Sequence, residues 1–268
     1  MPGNAPATSR HALGPGTGEH AIRLANVRKA FGSHQVLNGV NIDFPRGAIT
    51  TILGPSGTGK SVMLSHIVGL LEPDSGLVEV FGQDIWGMSE DDRAQFRKRF
   101  GVLFQDGALF SSMNLYDNVA YPLRKNTNKS EVEIREIVLS RLQEVGLSAA
   151  VNRVPSALSG GMKKRAGFAR ALATEPEVVL FDEPDSGLDP VRTSLLCDLI
   201  LDVHRVHRGT YVVVTHNIEI ARRLSDFVGV LWKGELVFYG PADEAFNTDD
   251  QFVRQFLSGN SQGPLGMD

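Results

Sequence analysis

The chain has 268 residues, 42% of them hydrophobic and 22% charged, with a net charge of −4 and one cysteine, Cys197. That apolar share supports a sizeable core and excludes disorder throughout, and the charge balance excludes the strongly basic surface of a nucleic-acid binder. The lone cysteine excludes an internal disulfide and suits a reducing compartment. No apolar run approaches the ~18 residues of a membrane-spanning helix, and no basic–apolar–small progression marks a secretory signal. A cytoplasmic protein is expected, with any membrane role exercised through a partner.

Residues 1–20, rich in Gly, Pro and Ala, predict a disordered arm. Ile22–Val27 and Val40–Phe44 alternate apolar and polar residues, as half-buried strands do. Ala48–Leu53 is a more continuously apolar strand running into a glycine-rich turn. A helix is expected over Lys60–Leu71, a strand over Leu77–Phe81, and a serine-capped helix over Ser89–Arg99. Residues 106–172 are mostly helical by pattern, including Glu131–Val145. The runs Val178–Phe181 and Tyr211–Thr215 read as buried parallel strands around a helix over Pro190–Arg208. Val228–Trp232 and Glu235–Tyr239 read as a hairpin turning at Lys233-Gly234. The architecture expected is an α/β core, interrupted by a helical subdomain, with a small antiparallel sheet near the N-terminus.

Three motifs carry chemistry. Gly54-Pro55-Ser56-Gly57-Thr58-Gly59-Lys60-Ser61 completes the G-x-x-x-x-G-K-[ST] pattern between an apolar strand and a helix. Such a loop turns its backbone N–H groups and a helix N-terminus toward phosphate. Lys60 then reaches the outer phosphates and the Ser61 hydroxyl holds Mg²⁺. Val178–Phe181 delivers Asp182 and Glu183 to the carboxyl end of a strand, where open α/β sheets bind ligands. Asp182 would complete the Mg²⁺ shell, and Glu183 would polarise an attacking water. Leu158-Ser159-Gly160-Gly161-Met162 places a good N-cap and two bare glycines before a helix over Met162–Ala173, a second anion-binding helix end. Two such ends need not serve one nucleotide in one chain; they can close on it from opposite subunits of a dimer.

These motifs in this order resemble the nucleotide-binding subunit of an ATP-binding cassette (ABC) transporter, from Ile22 to about Ala245. The resemblance implies a P-loop NTPase fold with a RecA-like core over residues 21–246, a helical subdomain at about 106–172, and a C-terminal helix and tail over 247–268. It implies ATP and Mg²⁺ as ligands and an ATP-sandwich homodimer. Integral membrane permease partners are implied too, placing the chain peripherally on the cytoplasmic face of the inner membrane. Phe31 stands where the adenine-stacking aromatic is expected, and Gln105 where a glutamine links Mg²⁺ to the permease. Ser159–Met162 match the signature loop and Ser186-Gly187-Leu188-Asp189 the loop that communicates across the dimer. His216 matches the histidine at the terminal phosphate. Glu183, His216 and Gln105 are thus the candidate catalytic residues, and Ser61, Gln105 and Asp182 the candidate Mg²⁺ ligands. Phe31 replaces the commoner tyrosine while keeping a π face. Met162 replaces the usual glutamine, so that side chain's hydrogen bonds do not carry over.

A finer resemblance is to the lipid-transport branch. Leu103–Leu123 is similar to the MlaF-type ATPases, and the tail, Gln251–Leu257 followed by Gly263–Asp268, to the MceG (Mkl) ATPases of Mce lipid importers. Leu109, Phe110, Met113, Leu115 and Tyr116 form either a permease-receiving patch or core of the helical subdomain. Phe252, Val253, Phe256 and Leu257 fall on one helical face, to dock on a partner ATPase or on their own domain. Arg97-Lys98-Arg99 and Lys163-Lys164-Arg165 read as solvated helix faces, and His204 and His207 as surface histidines. The competing class is a soluble ABC-type ATPase acting on nucleic acid or ribosomes. Its members usually carry two cassettes or a long coiled coil, and neither is present.

Overall fold

The computed structural model describes residues 20–260 and 262–264. The arm expected over residues 1–20 lies outside them except for His20, as do the last four residues of the tail. Strands β1 (His20–Phe31) and β2 (His34–Pro45) pair antiparallel, and β4 (Ser75–Val80) and β5 (Gln83–Asp84) extend this sheet in the order β2-β1-β4-β5.

The second sheet runs β10-β9-β3-β8-β7-β6. Its strands are β3 (Ile49–Leu53), β6 (Phe100–Leu103), β7 (Val178–Asp182), β8 (Thr210–Thr215), β9 (Phe227–Trp232) and β10 (Glu235–Pro241). All neighbours are parallel except the β9–β10 hairpin, which turns at Lys233-Gly234 as expected. Period-two alternation divides the core. Val179, Phe181, Tyr211 and Val213 enter one cluster, while Val178, Leu180, Val212 and Val214 enter the other. Apolar residues on both faces are what a sheet covered from both sides requires.

The first cluster is closed by α3 (Leu115–Asn126), α4 (Glu131–Glu144), α5 (Gly160–Leu172), α6 (Pro190–His207) and α7 (Ile218–Leu224). The second lies between the antiparallel sheet and α1 (Lys60–Ile67), with α2 (Glu90–Phe96) at its edge. Ser89 caps α2, and Ser130 with Glu133 forms a capping box on α4. Such side chains satisfy N–H groups that a helix start leaves unpaired.

Three local expectations change, and one alternative left open by the sequence, the docking of the C-terminal helix, is decided. Helix α1 stops at Ile67, because Gly69 turns left-handed and Leu70 and Leu71 both donate to the Ser65 carbonyl. Strand β6 and helices α7 and α8 (Ala242–Phe246) are additional. The apolar face of α9 (Gln251–Ser258) packs on its own domain, with Val253 and Leu257 buried among Leu53, Ala221, Val228 and Val230. Trp232 meets the rings of Phe252 and Phe256 edge-on, at 5.5 and 6.4 Å. The basic triplets are only partly solvated: Lys98 is exposed and Lys164 buried, Arg97 donates to the Gly69 carbonyl, and Arg99 pairs with Glu177 while lying over the Phe81 ring.

Candidate functional site

Strand β3 ends at the phosphate-loop motif, whose last glycine, Gly59, is the N-cap of α1 at φ +99°. A Cβ there would stand 2.7 Å from Leu37 Cδ2 and 2.9 Å from the Val36 carbonyl oxygen, so both conformation and space select glycine. No side chain caps α1, so its first-turn N–H groups suit an anion arriving from outside the chain. Lys60 is buried and donates to the carbonyls of Gly54 and Pro55, at 2.7 and 2.8 Å. Burial holds its pKa below the ordinary lysine value, against the opposing pull of Glu183 and Asp182.

Strand β7 brings the acids to this loop. The Ser61 hydroxyl donates to Asp182 Oδ1 at 2.8 Å. Burial pushes the Asp182 carboxyl above the usual carboxylate range, helped by the Glu183 charge and opposed by the Ser61 bond and Lys60. Glu183 is a non-glycine residue at φ +45°, a strained conformation that persists where the surroundings impose it. Here its N–H donates to the Val214 carbonyl, and its own carbonyl accepts from the Ser186 N–H. The Glu183 carboxylate thereby reaches both Lys60 and His216, at 3.7 and 3.4 Å. Gln105, just past β6, donates from Nε2 to Ser186 Oγ at 2.9 Å.

Lys60, Ser61, Gln105, Asp182, Glu183 and His216 therefore share the carboxyl edge of the parallel sheet. Among the described residues, no hydrogen bond or ion pair joins Phe31 or Ser159–Gly161 to that group. Phe31 is half exposed at the β1–β2 turn, with Lys29 Nζ 5.7 Å from its ring centre. The Ser159 side chain caps α5 by accepting from the Met162 N–H, and Gly161 lies beside Leu188 and Arg192. Asp189 caps α6, accepting from the Arg192 N–H at 2.9 Å.

Three residues at this edge escaped the sequence. Asp185 is buried and accepts from Thr215 Oγ1 and Asn217 Nδ2, at 2.9 and 3.0 Å, fixing the loop that carries His216. Its one signal was a carboxylate in the turn after a buried strand. Lys164 and Arg170 on α5 donate to backbone carbonyls of the Gln105 loop. Basic residues on a helix gave no signal of that.

Among the described residues, no group of three or more His, Cys, Asp or Glu side chains is arranged to hold a metal. His204 instead donates from Nε2 to the Gly209 carbonyl, and His207 lies beside Glu144 and Arg141. A hydroxyl and a carboxylate in contact, next to a phosphate loop, do fit Mg²⁺, which takes few protein oxygens and completes its shell with phosphate and water. In the apolar segment after Gln105, Leu115 is core and Leu109 and Tyr116 pack against it. Phe110 is half exposed, meets the Tyr121 ring at a 54° tilt, and with Phe104, Val102 and Pro122 lines a groove of about 450 Å³.

Residues 37–186 match the family model described as ABC transporter. The chain is 50% identical over 92% of its length to a Mycobacterium leprae protein named a probable ribonucleotide transport ATP-binding protein, mkl, covering 71% of that protein. It is 40% identical over 91% of each chain to the intermembrane phospholipid transport system ATP-binding protein MlaF of Escherichia coli K12. Among solved structures it is similar to MJ0796, a dimeric ATP-binding cassette in a post-hydrolysis state with ADP and Pi. There the TM-score is 0.76 and the identity 31%, over 82% of this chain and 98% of that one. The chain belongs to the ABC transporter family as one of its ATP-binding subunits.

Proposed function

We propose that this subunit hydrolyses ATP as a homodimer and thereby energises lipid transport by a permease of the Mce/Mla type. The observation that carries the hydrolytic part is the cluster in which Ser61 touches Asp182 while Glu183 stands beside Lys60 and His216. Lys60 and the amides of residues 54–61 bind the phosphates. Ser61, Asp182 and Gln105 would hold Mg²⁺, which when bound neutralises developing phosphate charge. Glu183 orients and deprotonates the attacking water, with His216 holding the Glu183 carboxylate and the terminal phosphate in line. Phe31 stacks on the base. Ser159, Gly160 and Gly161 of one chain, with Asp189, complete the site of its partner, a reading supported by the likeness to MJ0796, whose ADP- and Pi-bound form is dimeric.

The permease reading is supported by the Phe110 groove, where Val102, Phe104, Tyr121 and Pro122 stand among the basic side chains of Arg97, Lys98 and Arg170, and which adjoins the Gln105 loop at Ala108. No helix among the described residues is long and apolar enough to cross a membrane, so a permease partner would hold the subunit at the inner face of the inner membrane. The relatives' names divide on cargo between ribonucleotide and phospholipid. Lipid is favoured because the phospholipid-system relatives are matched over 91 to 94% of their own length, so this chain accounts for nearly a whole subunit of that kind.

The test is purification from native membranes in mild detergent, with mass spectrometry of what accompanies the chain. A permease with Mce-type partners and bound lipid is the expected result. A different permease class, or nucleotides in place of lipid, removes the lipid reading and keeps the ATPase. Ribosomes or DNA without any membrane protein remove the transport assignment.

A further inference from the structure

Lys164 is buried at 4% exposure, one turn inside the N-terminus of α5. Its ammonium donates to the Gln105 carbonyl at 2.7 Å and lies 3.5 Å from the Glu183 carbonyl oxygen. Those two residues are 78 positions apart in sequence, and Lys164 joins them through their backbones, leaving both side chains for chemistry. A second cation of the same helix continues the grip. Arg170 donates to the Gly107 and Ala108 carbonyls, at 3.0 and 2.7 Å. The loop lies flush against the helix, because a Cβ on Gly107 would meet the Lys163 carbonyl oxygen at 2.7 Å. Gly107 turns left-handed at φ +75°, which a glycine adopts freely, and Ala108 follows at φ +45°, a conformation that a residue with a Cβ keeps only where its surroundings impose it. A buried ammonium is costly unless its donors are used, and here they are used on backbone oxygens on both sides of the candidate catalytic group.

We infer that Lys164 is a positioning residue that couples α5 to the acid edge of its own chain, fixing the Gln105 loop and the left-handed Glu183 turn together. The inference rests on the proposed function in one respect. If Ser159–Gly161 read the partner's nucleotide, a shift of α5 on that contact is passed by Lys164 to Gln105 and Glu183 of the other site. The coupling is mechanical and needs no titration, since a lysine ammonium holds carbonyls through three donors.

The experiment compares wild type with Lys164→Met, which keeps the length and removes the donors, and Lys164→Arg, which keeps donors. Amide hydrogen exchange is read on nucleotide-free protein, and steady-state ATPase kinetics on the same samples. In Lys164→Met, exchange at residues 106–108, including the Gly107 N–H bonded to Phe104, is expected to rise at least tenfold, with the rest of the chain unchanged. The kcat is expected to fall at least tenfold with KM for ATP within threefold, and Lys164→Arg to recover most of both. Unchanged exchange at 106–108, or kcat within twofold of wild type, overturns the inference. So does a fall in kcat accompanied by faster exchange everywhere, which marks a merely structural lysine. If Lys164→Met does not fold, Lys164→Gln, too short to reach the Gln105 carbonyl, is read the same way. Wild-type protein that fails to hydrolyse ATP would sink the proposed function, while the exchange result would still decide the positioning role.

Discussion

The Glu183 carboxylate stands 3.7 Å from the Lys60 ammonium, so the candidate base and the candidate phosphate-binding cation are held as a pair. The Glu183 charge opposes the burial that disfavours the Lys60 ammonium, and each side chain has one separable task. Glu183→Gln keeps the shape and removes the proton acceptor. General-base catalysis is worth roughly 10²–10⁴ in rate, so phosphate release is expected to fall by about that factor with ATP affinity retained. Light scattering of this variant in MgATP is expected to show a stable dimer; rapid turnover by a monomer would contradict the assignment.

Lys60→Ala removes the other member. Hydrogen bonds to a charged group contribute about 1.5–3 kcal/mol, so ATP affinity should drop about 10- to 100-fold, read by equilibrium dialysis. Because Lys60 is buried and its ionised form is disfavoured there, its loss should leave the melting temperature within a few degrees. Undiminished affinity would show that the phosphates bind elsewhere.

His66 lies wholly buried on α1, with Nδ1 bonded to the Leu71 carbonyl and Nε2 without a partner. Burial lowers its pKa below the ordinary histidine value. The unfolded chain therefore binds a proton more readily than the folded one. This contribution to stability is complete above pH ~6.5 and is lost as pH falls toward the lower folded value. One such group changes stability by at most about 1.4 kcal/mol per pH unit. Urea melts of wild type and His66→Asn between pH 5 and 7.5 test this: the wild type should lose stability more steeply on acidification. Parallel curves would mean His66 takes up its proton without penalty.

The single cysteine offers a clean probe. Cys197 is buried on α6 and burial pushes its thiol up to about 11, so almost no thiolate is available at neutral pH. A disulfide reagent such as Ellman's is expected to react at the rate of opening of the fold and to completion in urea. Immediate stoichiometric labelling of native protein would show that α6 does not seal the first core cluster.

What the sequence disclosed and what it hid divide by how local the signal is. Gly54–Ser61 was legible because its requirement is a backbone shape written in eight consecutive residues, between a buried strand and a helix. Asp182 and Glu183 were legible because an apolar strand must release its acids at its carboxyl end. Lys164, Arg170 and Asp185 were not, because their partners lie 19 to 63 residues away and only the packing of α5 and β8 chooses them. The same holds for Arg97 and Arg99, whose charges looked solvated until Glu90, Glu177 and the Phe81 ring were placed around them. Strand β6, four residues with a glycine, has too little pattern of its own and is a strand because β7 pairs with it.

The C-terminal helix separates two physical outcomes that its sequence left equal. Val253 and Leu257 sit at 1% and 5% exposure against Leu53, Val228 and Val230 of the same chain. Leu→Ala in a core costs ~2–5 kcal/mol, the lower end where the site can collapse. An eight-residue helix at the domain edge can shift inward, so ~2 kcal/mol is expected for Leu257→Ala. At 2–4 °C per kcal/mol for a chain of this size class, the melting temperature should fall by about 4–8 °C. Combined with Glu183→Gln, it should leave the dimer dissociation constant in MgATP within threefold, since the deleted contacts are internal. A weakened dimer at an unchanged melting temperature would mean that the α9 face serves the partner subunit and closes on its own domain only without cost.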